Sequence, residues 1–143
     1  MIRDFEEYIQ DNTVTKQSPD HARADHLEQE SQQAQQVLNE ITQTIGITNT
    51  NANTLIKIAY DAIMAQIRAD MIREGLNAAG RGAHEAEIAY LRKQETPEEE
   101  IQFLDQLRYF RNGIMYYGKN FDAEYAQKVL TYTKKRIHKN KKE

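Results

Sequence analysis

Leu27, Ser31, Ala34, Leu38, Ile41 and Ile45 follow one another at alternating spacings of four and three residues. That alternation is the repeat of a single helix face. Gln, Glu and Asp fill most positions between, so the pattern predicts a helix over residues 20–45 that buries one narrow seam. Ser18 or Asp20 can cap its start, with Pro19 near the first turn, and Gly46 can end it. Helix breakers are few, six Gly and two Pro in 143 residues, and no apolar run alternates with the period of a strand.

The same reading carries on along the chain. Asn51 or Asn53 opens a second helix that runs to about Gly75. Leu55, Ile56, Ala59, Tyr60, Ala62, Ile63, Ile67 and Met71 give it an apolar face broad enough for a central helix. Gly75, Gly80 and Gly82 bracket a connection, and residues 83–93 predict a shorter third helix. Thr96 caps the fourth, with Pro97 at its first position, Glu98 to Glu100 in its first turn and a Thr96–Glu99 capping box. It carries Ile101, Phe103, Leu104, Leu107 and Phe110 and stops near Gly118. Asn120 caps the fifth, where Phe121, Tyr125, Val129, Tyr132 and Ile137 keep helical spacing. Residues 1–19 read as a weakly ordered leader, with a short helix around residues 4–10. The expected fold is all-α: an up-and-down bundle of four to five helices over residues 20–140.

One domain of this size can bury a real core. The absence of cysteine excludes disulfides and thiolate metal sites. No apolar run approaches the ~20 residues of a membrane span, and the mixed, acidic start is no secretory signal. A cytoplasmic protein that does not engage the membrane is expected. Charge is uneven: residues 1–118 hold 11 Lys and Arg against 19 Asp and Glu, and residues 119–143 hold 8 against 3. The basic end, with Lys134, Lys135 and Arg136, either attracts nucleic acid or supplies cations that suit the last turn of a helix.

Two arginines three residues apart, Arg108 and Arg111, sit in the apolar and aromatic run LRYFRNGIMYYG. Arginine is costly on a packed surface unless an anion meets it. So they either pair with carboxylates such as Asp105, or face a bound phosphate.

The segments NTLIKIAYDAIMAQIRADMIREGL, GAHEAEIAYLRK and FLDQLRYFRNGIMYYG, in this order, resemble the HEPN domain (higher eukaryotes and prokaryotes nucleotide-binding) over about residues 22–137. The resemblance implies a four- to five-helix bundle, commonly a homodimer. It also implies a link to RNA or nucleotides, often as a metal-independent endoribonuclease toxin of a toxin–antitoxin or defence pair. Some relatives have a nucleotidyltransferase partner. The family signature is Arg, a polar residue, a short variable stretch and His. The Arg offsets charge on the scissile phosphate, and the His moves protons near neutral pH. Arg111 and Asn112 match the first two positions, but Tyr116 stands at the His position. A phenol ionises near ~10 against ~6.5 for imidazole, and losing a general acid–base group costs about 10²–10⁴ in rate. The tyrosine modified in one toxin subgroup falls on Gly118.

The candidate catalytic set is therefore a degenerate Arg111, Asn112 and Tyr116. The candidate phosphate set is Arg108, Arg111, Lys134, Lys135 and Arg136. Tyr116 and Tyr117 either stack on bases or pack. His84 either replaces the missing proton carrier or serves a capping or packing role. His21 and His26 are five apart, not the four of a helical metal pair, so no metal and no cofactor is expected. Three readings stand: a non-cleaving RNA- or nucleotide-associated module, an active endoribonuclease, and a non-catalytic protein adaptor.

Overall fold

A computed structural model describes residues 2–141, with side chains as far as Ile137. The chain is an all-α helical bundle, 73 % helix and 4 % strand. Among the described residues the order is α1 (Phe5–Gln10), β1 (Val14–Lys16), α2 (His21–Thr44), α3 (Ala52–Arg73), β2 (Leu76–Ala78), α4 (Ala83–Tyr90), a 3₁₀ turn (Leu91–Gln94), α5 (Glu98–Tyr117) and α6 (Ala123–Lys141). The helices divide between two compact units, Met1–Leu27 with Ile67–Tyr109, and Glu28–Gln66 with Phe110–Glu143. No described helix is long and apolar enough to cross a membrane.

In the first unit the expected leader is instead folded. Ile2, Phe5, Tyr8 and Val14 are buried. Phe5 meets Tyr90 edge-on at 5.6 Å, and the Arg92 guanidinium donates to the carbonyls of Arg3 at 2.7 Å and Ile2 at 3.2 Å. The same group forms two bonds to the Glu98 carboxylate, at 3.1 and 2.6 Å, and so ties the start of the chain to the start of α5. The Glu98 carboxyl is held below its usual range by this arginine.

A two-stranded antiparallel ribbon, unexpected from the sequence, pairs Val14 with Ala78, Thr15 with Asn77 and Lys16 with Leu76. Gly75 makes its close approach possible. Its φ is +76°, and a Cβ there would collide with the Gln17 carbonyl. The bare backbone lets the Gln17 N–H reach the Gly75 carbonyl at 2.8 Å. Asp20 is the cap of α2: its carboxylate accepts from the Arg23 N–H at 3.0 Å.

In the second unit the α2 seam meets α3. Ser31, a seam position, is fully buried, and its hydroxyl donates to the Ala62 carbonyl at 2.7 Å. Leu38, Leu55, Ile56, Ala59, Ile63, Ala126 and Val129 are buried in the same unit. Asn51 stands directly before Ala52 and opens α3, as one of the two expected residues. Thr48 and Asn51 exchange side chain to backbone bonds at 2.9 and 3.1 Å in the turn before it. One expected cap moves. Asp122, not Asn120, caps α6 by accepting from the Tyr125 N–H at 2.9 Å.

Candidate functional site

Arg111, Asn112 and Tyr116 lie on the last turns of α5, and the end of that helix is tightly held. Gly118 takes φ +65°, and the Lys119 N–H folds back to the Gly113 carbonyl at 3.2 Å. The following loop is laced to α3 by Asn53, which donates to the Lys119 carbonyl and accepts from the Phe121 N–H, both at 2.8 Å. Phe110, Phe121 and Tyr125 stack beside it, ring centroids 4.9 to 5.4 Å apart. Burial in that cluster pushes the Tyr125 hydroxyl up to about 12.

The two arginines of the run meet different carboxylates. Arg108 points Nε and Nη2 at one Asp105 oxygen, at 3.1 and 2.9 Å. Its Nη1 comes within 3.7 Å of Glu85, and the Arg108 and Asp105 side chains are only 20 % and 16 % exposed. This is the structural ion pair, so Arg108 is not a ready phosphate ligand. Arg111 sits over the Tyr60 ring at 5.7 Å and, among the described residues, pairs through Nη2 with Asp61 at 3.3 Å. Asp61 is 61 % exposed, and Arg111 Nε is buried with no hydrogen-bond partner. The Asp61 end of this pair is open to solvent and the guanidinium end is not, so water screens the pair from the carboxylate side, where an incoming anion would meet it.

Around Arg111, Asn112 is half-buried, while Met115, Tyr116 and Tyr117 are 46 %, 70 % and 79 % exposed. The tyrosines present aromatic faces to solvent instead of packing. On α6, Lys134 and Lys135 are exposed, with no ion pair among the described residues. Both line a cavity with α2 residues. Arg136 corrects the sequence expectation. It is buried, because it falls on the inward face with Val129, Thr133 and Ile137, and so it cannot serve as a phosphate ligand beside the lysines. Residues 138–142 of the basic tail lie outside the described side chains.

Left-handed Gly82 stands at the N-cap of α4, with His84 two residues further on in its first turn. The His84 ring stands 3.5 Å from the buried Glu87, which is gripped by Arg68 at 2.6 and 3.2 Å. Burial pushes the Glu87 carboxyl up, and Arg68 offsets part of that. No cluster of three or more metal-ligating side chains occurs among the described residues.

No family model, curated protein or solved structure matches the chain. The site is therefore read from its own geometry. Of the two partners of Arg111, Tyr60 reads in the sequence only as part of the apolar face of α3, and Asp61 is not picked out. The one available signal was an acid interrupting the apolar face of α3. At the end of α5 the geometry offers the Arg111 guanidinium beside two solvent-facing phenol rings, and position 116 has no imidazole for proton transfer, while Lys134 and Lys135 stand on α6 at the cavity with α2.

Proposed function

We propose that the chain is a HEPN-like RNA-binding module that holds RNA without cutting it, acting as a homodimer and as one half of a toxin–antitoxin or defence pair. The observation that carries the reading is the asymmetry between the arginines. Arg108 is locked by carboxylates, whereas Arg111 is held by one exposed carboxylate beside two exposed tyrosines. In this reading an RNA phosphate takes the place of Asp61 on Arg111, and neighbouring bases stack on Tyr116 and Tyr117. Lys134 and Lys135 add sequence-independent attraction.

The active-nuclease reading needs a group that moves a proton at the scissile ribose, and a tyrosine at position 116 argues against it. A metal-free incubation of end-labelled RNA with the wild type and Arg111→Ala separates the two. Retention without cleavage supports the proposal, and cleavage lost in Arg111→Ala overturns it. The adaptor reading predicts no salt-sensitive RNA retention at all.

A further inference from the structure

A cavity of about 230 Å³ opens at the ribbon and lies wholly within the first unit. Leu76, Asn77 and Ala78 of β2 line it, with Arg23 of α2, Arg68 of α3 and Glu87 of α4 around them. Side chains alternate between the two faces of a strand, so three consecutive residues share one cavity at the strand's edge, not on a face. β1 occupies the other edge. The Gln17 N–H bonds the Gly75 carbonyl and the Ala79 N–H bonds the Thr13 carbonyl, at 2.8 and 3.0 Å. In an antiparallel pair, bonded residues alternate with residues whose N–H and C=O face outward. Leu76 and Ala78 are the outward residues of β2. Outside the ribbon, no backbone bond takes up either of them among the described residues.

The charge beside this edge is positive. Arg68 gives Nε and Nη2 to the buried Glu87, at 2.6 and 3.2 Å, so those two charges answer each other. Arg23 is exposed and makes no ion pair among the described residues. Its guanidinium is the charge in excess at the cavity, with the whole fork open to a carboxylate. Outward strand N–H and C=O groups are a template for another extended chain, and in strand addition the backbone supplies affinity while side chains supply specificity. We propose that β2 accepts an extended peptide as a third strand, and that Arg23 selects an acidic side chain on it. Leu76 and Ala78 make the backbone bonds, and Arg23 makes the ion pair. This site belongs to the ribbon and does not depend on whether RNA binds the end of α5.

The test is NMR titration of the full, isotope-labelled chain with three peptides: acetyl-Thr-Val-Glu-Val-Thr-amide, its counterpart with Gln for Glu, and the Glu peptide N-methylated throughout, which has no backbone N–H to donate. The Glu peptide is expected to shift the amides of Leu76 and Ala78 and to slow their hydrogen exchange. The Gln peptide should bind about tenfold more weakly, and the N-methylated peptide should leave both amides unmoved. Arg23→Ala, a change at an exposed position, should bind the Glu and Gln peptides alike. No shift at β2 with the Glu peptide overturns the proposal, as does equal binding of the Glu and Gln peptides by the wild type. Equal shifts from sodium acetate would make this a site for any carboxylate and overturn strand addition. Exchange at Leu76 and Ala78 that slows with protein concentration, before any peptide is added, would put a second copy of the chain on the edge and overturn it too.

Discussion

Replacing Gly75 with alanine tests how the start of the chain is held. Two costs add at this position. A φ of +76° is strained for any residue with a Cβ, by about 1–2 kcal/mol. The Cβ would also strike the Gln17 carbonyl, whose own N–H bonds Gly75 at 2.8 Å. Relieving that contact moves the chain and breaks a hydrogen bond worth about 1 kcal/mol. The sum is roughly 2–3 kcal/mol, or a fall in Tm of about 5–10 °C at this chain length. Gly80→Ala is the matched control. Its φ is +79°, but nothing lies within 4 Å of a Cβ there, so it carries the strain alone. Thermal unfolding followed by circular dichroism should rank Gly75→Ala below Gly80→Ala by about 1 kcal/mol. Hydrogen exchange should speed up in residues 14–17 and 75–78 of Gly75→Ala alone. Equal stabilities for the two variants would refute the close-approach argument.

The arginine pair makes a second prediction. Arg108→Ala, which breaks a largely buried pair, should destabilise by about 1–3 kcal/mol in urea unfolding, while Arg111→Ala should stay within about 1 kcal/mol of wild type. In alkali, Tyr125, pushed up to about 12 by burial, and Tyr90, pushed higher by burial and Glu74, should ionise last in a 295 nm titration. The unfolded chain releases both protons near ~10, so stability should decline as pH rises from there toward 12; stability constant over that window would contradict the burial of both hydroxyls. If the HEPN reading of α5 is right, Tyr116→His should gain metal-free RNA cleavage, since an imidazole at this position supplies a factor of about 10²–10⁴.

The long elements were legible because each repeats its signal many times. The α2 seam shows this: Ser31 and Leu38 are buried where the spacing places them, although Ile45, one residue past the helix, is 68 % exposed. The ribbon was not legible. A three-residue strand with only Val14 buried has no period to detect, and its pairing depends on Gly75, which read as a loop residue. The start of the chain is ordered by Arg92, about ninety residues away in sequence, and no local pattern predicts such a clamp. Asn120 and Asp122 are both good caps by type, and the loop decides between them, with Asn53 accepting from the Phe121 N–H.

At the site, the two arginines were visible as a costly pair, but their fates were not. Which of them meets a screened carboxylate depends on Asp105, Glu85 and Asp61, the last two on other helices. Arg136 could have been set apart from Lys134 and Lys135 by helical phase, since it falls three and seven residues after the inward Thr133 and Val129.

Arg111 and the two α6 lysines are proposed to hold RNA phosphates without cleaving them. The most direct test is the salt dependence of single-stranded RNA binding, measured on wild type and Arg111→Ala. Three phosphate contacts predict a slope of log K against log[salt] of about −2 for the wild type, shallower by about 0.7 in Arg111→Ala, with the RNA recovered intact. An unchanged slope in Arg111→Ala, or RNA cut by the wild type and spared by the variant, would contradict it.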